Sequence, residues 1–291
     1  MTNRAIDIVV NLFTPEAVRN GQTGFDATFM EQVRMPVDMR GGVTIDDYLR
    51  RMDRAGVEHS LLIAVRAGER TRSYSFEIPY ADVALWCDKY PDRFSGLAGV
   101  DPTIGMQQLR DLEYAVNELG FVGAHLYPHW FQMPPDAARC YPVYAKCCEL
   151  GIPIMMQVGQ NLIYQKDVRL PSVARPILLD QVAIDFPELK LIGIHVGTPW
   201  AEEMIAMAWK HDNVFIGIDA YAPKHLPDAL VRYMDSYGKE KVLWGTDWPV
   251  IDPERGLAEL ADHRLRPEAY RLVVRGNALR VFDKLEARIA G

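Results

Sequence analysis

The fold is decided by short apolar segments, of which LKLIGIHVG (189–197), VFIGIDAY (214–221) and KVLWGTDWPV (241–250) are the clearest. They are rich in Val, Ile, Leu and Gly, and few show strict alternation of apolar and polar residues. This pattern is typical of parallel strands that are buried on both faces. Five similar segments precede them: AIDIVVNLF (5–13), EHSLLIAV (58–65), FSGLAGVDP (94–102), FVGAHLYP (121–128) and IPIMMQVG (152–159).

Helical stretches separate these eight segments. TIDDYLRRMDRAG (44–56) begins with Thr44 three residues before Asp47, which indicates a helix N-terminus. YAKCCELG (144–151) ends at Gly151, where we expect a helix to stop before the next strand. Eight strand-then-helix units predict an α/β fold, the closed (β/α)8 TIM barrel, rather than an open doubly wound sheet. The first strand is not followed by a G-x-G-x-x-G loop, which disfavours a dinucleotide-binding fold.

The length of 291 residues suits a single (β/α)8 domain spanning 1–291. One long segment, at about 13–43, separates the first strand from the first helix and exceeds what a minimal barrel needs. Loops at 129–138 and 160–176 are also long. Long βα loops in barrels commonly build lids or substrate walls, so the insertion is either a lid or a disordered surface segment.

The composition limits the binding partners and the cellular compartment that we expect for the protein. The formal net charge is −7 and no basic run occurs, so we expect no nucleic-acid partner. No apolar run approaches the 18 to 20 residues, roughly, that span a bilayer, and the first residues do not resemble a signal peptide. The four cysteines fit neither a disulfide framework nor a zinc knuckle. We therefore expect reduced thiols, a cytoplasmic protein, no membrane partner and a small-molecule substrate.

Polar residues at the carboxyl ends of the predicted strands are the candidate functional groups. In a barrel these ends open into one shared mouth, so polar side chains there matter more than polar side chains elsewhere. In chain order they are Asp7, Asn11, Asp101, His125, Tyr127, His129, Gln157, His195, Asp219 and Asp247.

Asp247 and His195 are the two sharpest candidates. Asp247 follows a buried segment, where a carboxylate can bind a metal or act as a general base, although an acid near Pro249 can equally cap a helix. His195 can polarise a carbonyl, move a proton or bind a metal, although a lone His on an apolar strand is more often a core residue. Trp200 and Trp248 lie just beyond these two residues and are candidates for the pocket wall.

The segment HLYPH (125–129) adds further polar groups. Alternation along a strand places His125 and Tyr127 on one face, and we expect His129, which follows Pro128, to lie in the loop. Asp219 is either a partner of the site residues or a buried structural acid, and we favour the structural interpretation.

Three motifs together resemble a known family: H-x-G-x-P-W at 195–200, G-T-D-W-P at 245–249 and G-N-A-L-R-V-F at 276–282. They resemble the amidohydrolase-related ("amidohydrolase 2") family, which includes enzymes similar to aminocarboxymuconate-semialdehyde decarboxylase and resorcylate decarboxylase. The family also contains lactone, thioester and carbon–carbon bond hydrolases. The resemblance covers nearly the whole chain. It implies a (β/α)8 barrel and, in many members, a mononuclear metal centre.

The resemblance also implies which residues hold the metal. Its strand-eight Asp falls on Asp247 and its strand-six catalytic His on His195. Its strand-one H-x-H pair falls on Val9 and Asn11, and its strand-five His on Gln157. Val9 has no donor atom, and amide oxygens are poor zinc ligands compared with imidazole.

These departures set the expected cofactor. We expect the usual zinc site to be degenerate, leaving either no metal or one weakly held divalent ion of Zn, Mn or Fe. The candidate ligands for such an ion are Asp247, His195, Asn11 and Gln157.

The leading hypothesis is a catabolic hydrolase that attacks an activated carbonyl, in an ester, lactone, thioester or C–C bond, of a small organic acid or acyl compound. Asp247 acts as the general base and His195 as the acid or electrophile. The substrate-binding residues are Asn11, His125, Tyr127, His129, Gln157, Trp200 and Trp248. The alternatives are a non-oxidative decarboxylase of an aromatic or enoic acid and a non-catalytic binding barrel. The resemblance also suggests a homodimer.

Overall fold

The eight apolar segments form one parallel sheet in a computed structural model that describes residues 4–289. All eight lie where the sequence places them, which confirms the predicted (β/α)8 barrel. The strands are β1 (Ala5–Asn11), β2 (Val57–Ala64), β3 (Phe94–Gly99), β4 (Gly123–Leu126), β5 (Ile154–Gln157), β6 (Leu191–Ile194), β7 (Val214–Ile218) and β8 (Val242–Trp244).

Each strand pairs with the next one along the chain, from β1 to β8. The ring closes where β1 meets the residues that follow β8, through a parallel bridge between Val10 and Trp248. The Asn11 N–H donates to the Trp248 carbonyl oxygen at 3.0 Å in this seam. Closure brings the carboxyl ends of all eight strands to one mouth.

Burial of consecutive strand residues shows that both faces of the sheet are covered. Ile154, Met155 and Met156 in β5 are each fully buried, although neighbouring side chains point to opposite faces. One face fills the barrel and the other packs against the outer helices, as parallel sheets require. Fully burying a side chain of this kind contributes about 1.5–3 kcal/mol, so the barrel core carries much of the stability.

The helices begin and end at residues whose chemistry explains the boundary. The Thr44 hydroxyl accepts from the Asp47 N–H at 3.1 Å, which caps the helix Ile45–Ala55, and Gly56 ends it in a left-handed conformation. The α-helices are α1 (Pro15–Arg19), α2 (Ala27–Gln32), α3 (Ile45–Ala55), α4 (Tyr80–Lys89), α5 (Met106–Asn117), α6 (Pro128–Phe131), α7 (Tyr141–Leu150), α8 (Leu179–Asp185), α9 (Ala201–Lys210), α10 (Asp228–Met234), α11 (Pro253–Ala261), α12 (Pro267–Arg271), α13 (Asn277–Val281) and α14 (Leu285–Ile289). Within residues 4–289, no helix combines the length and the apolar character needed to cross a bilayer.

The insertion between β1 and α3 is folded onto the barrel. It contains α1, α2 and a 3-10 turn at Val37–Met39, and it buries Phe29, Met30 and Met35. The disordered alternative is therefore wrong for this segment, because its apolar side chains are part of the core.

A buried histidine lies near the amino end of β2, away from the mouth. His59 Nε2 is 2.9 Å from Ser95 Oγ, and its Nδ1 is 3.0 Å from the Asp92 carbonyl oxygen. Burial lowers the pKa of His59 to about 4, because the charged imidazolium is poorly solvated there.

We expect His59 to make the fold acid-sensitive. Below pH 6.5, roughly, the unfolded chain binds a proton that the folded chain excludes, so this contribution is complete above that pH and is lost towards pH 4. The loss amounts to about 2 kcal/mol at pH 5. Urea unfolding at pH 7 and pH 5 should show a smaller pH effect in His59→Gln than in the parent chain. The exposed His225→Gln control should behave like the parent. Equal pH effects in all three proteins would contradict the assignment.

Candidate functional site

Three neighbouring strand ends bring an imidazole and two carboxyl groups together in the barrel mouth. His195 follows β6, Asp219 follows β7, and Asp247 lies in the turn after β8. His195 Nε2 is 3.3 Å from Asp219 Oδ2 and 3.9 Å from Asp247 Oδ2, and one atom from each of the three residues lies within 4.8 Å of the others. We call these three residues the acid–histidine cluster.

The backbone of the cluster is held in unusual conformations. His195, Ala220 and Asp247 have φ of 65°, 61° and 50°, in the left-handed region that residues with a Cβ seldom occupy. Such conformations persist only where surrounding contacts enforce them. One such contact is the His195 N–H, which donates to Asp219 Oδ1 at 2.9 Å. The strand ends are thus shaped to direct polar side chains into the mouth.

Asn11, a predicted ligand, uses its amide nitrogen to hold Asp247. Asn11 Nδ2 donates to Asp247 Oδ1 at 2.9 Å and to the Trp248 carbonyl oxygen at 2.8 Å. These bonds orient the carboxyl group across the β1–β8 seam and leave Asp247 Oδ2 facing His195. Asn11 therefore positions a site acid, whereas the sequence suggested an amide that binds an ion or substrate directly.

Burial controls the charges of the cluster. It raises the pKa of Asp247 to about 8, against the opposing hydrogen bond from Asn11, and it raises the pKa of Asp219 well above its usual range. Burial likewise lowers the pKa of His195 to about 3, so its imidazole is neutral at pH 7. Two adjacent acids repel each other when both are ionised, and the neutral imidazole of His195, which lies 3.3 Å and 3.9 Å from them, offers no positive charge to offset this.

The donor set fits a divalent cation. His195 Nε2 and Asp219 Oδ2 are buried and make no hydrogen bond in the described part of the chain, so both are available as ligands. Two carboxylates can neutralise a divalent ion, and a mixed oxygen and imidazole set suits Mn²⁺ as well as Zn²⁺. Asp219 therefore faces His195 and Asp247, which favours the alternative interpretation of it as a partner of the site residues over a purely structural role.

Three more buried polar residues, which we call the polar shelf, lie beside the cluster. His125 and His129 are close enough to His195 to affect its charge, and Gln157 pairs with Ile194, the residue before His195. Four of their buried atoms make no hydrogen bond within residues 4–289. They are both ring nitrogens of His125, His129 Nε2 and Gln157 Oε1. The ring of His125 lies 4.3 Å from that of Tyr127, as strand alternation predicts. Such a concentration of unsatisfied polar atoms indicates a place where water or a ligand completes the hydrogen bonds.

His129 differs from its predicted location in a loop. It belongs to the short helix α6 and is almost fully buried, and its Nδ1 accepts from the Val173 N–H at 3.2 Å. Pro128 supplies the first residue of that helical turn, which is why the chain does not continue into an exposed loop.

A small cavity opens onto the cluster. Its volume for water is about 30 Å³, which accommodates one or two water molecules. His195 and Asp247 form part of its wall, and rings and aliphatic side chains form most of the remainder. The lining residues are Phe29, Val33, Gln160, Leu162, Tyr164, His195, Ala220, Tyr221, Asp247 and Val250.

Two loop segments meet above this cavity and form an aromatic roof, defined by Phe25, Phe29 and Tyr164. The rings of Phe29 and Tyr164 stack at 4.6 Å, and those of Phe25 and Phe29 at 4.8 Å. Asp26 joins the segments, because its carboxylate accepts from the Lys166 N–H at 2.6 Å. The insertion therefore covers the mouth, and a substrate larger than the cavity can enter only when the roof moves.

The two tryptophans proposed for the pocket wall point elsewhere. The ring of Trp248 is buried against Tyr48 of α3, at a centroid distance of 4.9 Å. Trp200 begins α9 and stacks with Arg175 at 5.2 Å. Neither ring lines the cavity, because each packs against a neighbouring element on the outside of the mouth.

A larger groove, of about 360 Å³, lies on the outside of the barrel beside α1 and α4. Its lining residues, including Glu16, Asp82 and Trp86, carry none of the unpartnered buried polar atoms described within residues 4–289. The chemistry therefore points to the barrel mouth rather than to this groove.

The fold and the cluster define a (β/α)8-barrel protein with acids and imidazoles at the carboxyl ends of its strands. A family model described as amidohydrolase matches residues 38–284. The chain belongs to this amidohydrolase family, as the sequence motifs suggested.

Two curated relatives are enzymes with different reactions. The chain is 25% identical to a 2-keto-4-carboxy-3-hexenedioate hydratase of Sphingobium sp. strain SYK-6 over 263 residues, which cover 74% of each protein. It is 27% identical to a gamma-resorcylate decarboxylase of Rhodococcus jostii strain RHA1 over 299 residues, covering 81% of this chain and 87% of the relative. The family is thus one of enzymes, with hydratase and decarboxylase members.

Solved structures share the whole fold. An uncharacterised TIM-barrel protein from Bordetella bronchiseptica has a TM-score of 0.79 and 24% identity, covering 97% of this chain and 99% of that one. A dihydroxybenzoic acid decarboxylase from Polaromonas sp. JS666, with bound manganese and the inhibitor 2-nitroresorcinol, has a TM-score of 0.72 and 19% identity, covering 97% of each chain. At these identities the likeness concerns the fold alone.

We expect Asn11→Ala to weaken the protein at the barrel seam. The change removes two hydrogen bonds, one of them to a site acid, and should lower the free energy of unfolding by about 1–3 kcal/mol. Urea unfolding measures the loss, and Gln107→Ala on the exposed face of α5 is the control. Identical stability of the two variants would show that Asn11 does not hold the seam.

Proposed function

We propose that the protein is a metal-assisted carboxy-lyase that removes CO2 from a small, planar aromatic or enoic acid. The observation that carries this proposal is the acid–histidine cluster opening onto a cavity walled by aromatic rings. Once the roof moves, the rings of Phe29, Tyr164 and Tyr221 would offer apolar surfaces to an unsaturated substrate, and the ligand set at one end favours an anionic group there. The decarboxylase among the relatives supports the same reaction class.

Asp219 changes the order of the functional hypotheses. Hydrolysis ranked first from the sequence because decarboxylation normally depends on a well-ligated metal, and Asn11 and Gln157 are poor replacements for histidines. With Asp219 beside His195 and Asp247, three side chains offer ligand atoms to one ion. The shortage of metal ligands, which counted against a lyase, is therefore no longer an argument against it.

The three cluster residues would hold the ion through His195 Nε2, Asp219 Oδ2 and Asp247 Oδ2. When bound, a divalent cation supplies positive charge that attracts substrate oxygens and stabilises negative charge developing near them. Asn11 keeps Asp247 turned towards this position, and the His195 N–H does the same for Asp219.

The polar shelf binds further oxygen atoms of the substrate. Burial lowers the pKa of His125 to about 3 and that of His129 to about 4, so both rings are neutral and each offers one N–H donor. Gln157 adds an amide group whose oxygen is unpartnered. A hydroxyl or carbonyl group beside the reacting carboxylate would satisfy these atoms.

Decarboxylation breaks one C–C bond, releases CO2 and leaves an electron pair on the substrate carbon, which must take up a proton. We assign the proton transfer to a cavity side chain outside the ligand set, Tyr164, whose phenolate then takes a proton back from water in the cavity. Burial, with Asp247 and Tyr221 close by, raises the pKa of Tyr164, so its hydroxyl is protonated before the reaction and can donate to the strongly basic carbon. The Tyr221 hydroxyl, which also lines the cavity, accepts a hydrogen bond from Gln160 Nε2 at 3.1 Å.

Hydration of a carbon–carbon double bond is the second candidate, favoured by the hydratase among the relatives. The cavity has room for one or two waters beside the acids, so the same groups can add water to an enoic acid. CO2 release, absent in hydration, separates the two reactions.

We expect Mn²⁺ to bind the purified protein and to be required for CO2 release from dihydroxybenzoates. Asp219→Asn should weaken Mn²⁺ binding, measured by calorimetry, by at least tenfold and lower CO2 release in parallel, because it removes one ligand charge. The control is Asp212→Asn, which changes an exposed acid in the loop before β7.

Three results would contradict the proposal. The first is undiminished turnover after chelation, and the second is equal Mn²⁺ affinity in the two Asp→Asn variants. The third is hydrolysis of thioesters or lactones with no CO2 release from any acid tested, which would restore the hydrolase hypothesis.

For Tyr164→Phe we expect a fall in kcat of about 100-fold with little change in KM, since proton transfer of this kind contributes about 10²–10⁴-fold. The ring stays in the roof, so substrate binding is retained. Tyr237→Phe, which removes an exposed hydroxyl after α10, is the matched control. An unchanged kcat would assign the proton transfer to another group.

A further inference from the structure

Asp7 lies in β1 beneath the mouth, and its contacts are directed at the turn that carries Asp247. It is fully buried, and its Oδ1 accepts from the Thr246 N–H at 2.9 Å and from the Val9 N–H at 3.2 Å. Its Oδ2 accepts from the Thr246 hydroxyl at 2.6 Å. One carboxylate thus binds both the backbone and the side chain of Thr246.

Thr246 extends these contacts past Asp247. Its Oγ1 accepts from the Trp248 N–H at 3.0 Å, so the residues on both sides of Asp247 are tied to one hydroxyl. The result is a chain of hydrogen bonds from Asp7 through Thr246 to Trp248. Asp247 lies inside this chain and makes none of its bonds.

Asp247 needs such support because its backbone has a φ of 50°. Residues with a Cβ are disfavoured there, aspartate less than most, so we expect the turn to move to a negative φ once the contacts that hold it are removed. Relaxation would rotate the side chain away from His195 and Asp219, since the direction of a side chain follows its backbone. Asn11 holds the carboxyl group itself, whereas Asp7 and Thr246 hold the backbone that presents it.

We propose that Asp7 and Thr246 are positioning residues that set the ligand affinity of the acid–histidine cluster by holding Asp247 in its left-handed conformation. The expected effect on metal affinity rests on the proposed function, whereas the expected effect on the backbone of Asp247 does not. Neither residue lines the cavity, and the motifs in the sequence do not single out their pairing.

The chemistry requires a carboxylate at Asp7. It accepts three hydrogen bonds, and the Thr246 hydroxyl donates to it while accepting from Trp248. An amide at this position would turn either its NH2 or its single oxygen towards the hydroxyl, leaving at least one of the three donors without a partner. A serine in place of Thr246 keeps the whole chain, whereas a valine removes both bonds of the hydroxyl and keeps the shape.

The test compares Thr246→Val with Thr246→Ser, and uses Thr103→Val as the matched control. The Thr103 hydroxyl donates to Asp101 Oδ1 at 2.6 Å, so that variant also breaks a threonine–aspartate pair at a strand end, and neither residue belongs to the cluster or lines the cavity. For Thr246→Val we expect Mn²⁺ affinity to fall about tenfold or more and kcat to fall with it, while KM changes little. Thr246→Ser should restore both quantities to near the parent values, and Thr103→Val should leave both unchanged.

A crystal structure of Thr246→Val decides the structural part without any metal or activity. We expect Asp247 to leave the left-handed region and its Oδ2 to move away from His195 Nε2. An unchanged Asp247 backbone, or a lower melting temperature with parent-like Mn²⁺ affinity and kcat, would overturn the proposal. If the parent protein binds no Mn²⁺, the proposed function fails, while the backbone of Asp247 in the variant still decides the positioning role.

Discussion

The site depends on the seam where β1 meets the turn after β8. Closing a parallel barrel joins the first strand to the last, and here the join is a short bridge supported by side chains of β1. Asp7 binds the turn from below and Asn11 from above, so the contacts that close the barrel also orient Asp247. Fold closure and site geometry are therefore one constraint, and a change at the seam affects stability and chemistry together.

That constraint explains how two acids remain buried side by side. Burial alone disfavours ionised carboxylates, which is why the pKa values of Asp219 and Asp247 are raised. A fixed donor holds one oxygen of each acid. Asn11 Nδ2 donates to Asp247 Oδ1, and the His195 N–H donates to Asp219 Oδ1. The other oxygens converge near His195 Nε2. A cation placed there would favour the ionised form of both acids, which burial otherwise disfavours.

The sequence predicts the barrel well because buried parallel strands leave a strong local signal, namely short apolar runs separated by helical stretches. It also predicts which strand ends carry His195 and Asp247, because the end of a strand can be located from the order of residues along the chain. It could not predict the role of Asn11, because an amide can act as donor or acceptor and only the location of Asp247 decides which. The sequence identifies Asp219 as an acid at a strand end. It does not predict the distance from Asp219 to His195, because that distance depends on the offset between β6 and β7. The directions of the Trp200 and Trp248 rings could not be predicted for a similar reason, because each residue lies in a turn that reorients its side chain after the strand.

The distribution of donors indicates how this barrel differs from the ligand pattern that the motifs imply. That pattern draws on strands one, five, six and eight, whereas the acids and imidazole described here come from β6, β7 and β8. On β1 the group facing Asp247 is an amide nitrogen, which repels a cation but stabilises a carboxylate. On β5, Gln157 leaves an amide oxygen beside the imidazoles of the polar shelf. A cation held by the cluster would therefore lie towards one side of the mouth, and the opposite side would offer neutral donors to substrate oxygens. An acid with a second oxygen function next to its carboxylate matches this division, because its charged end and its polar substituent would each meet the side that complements it.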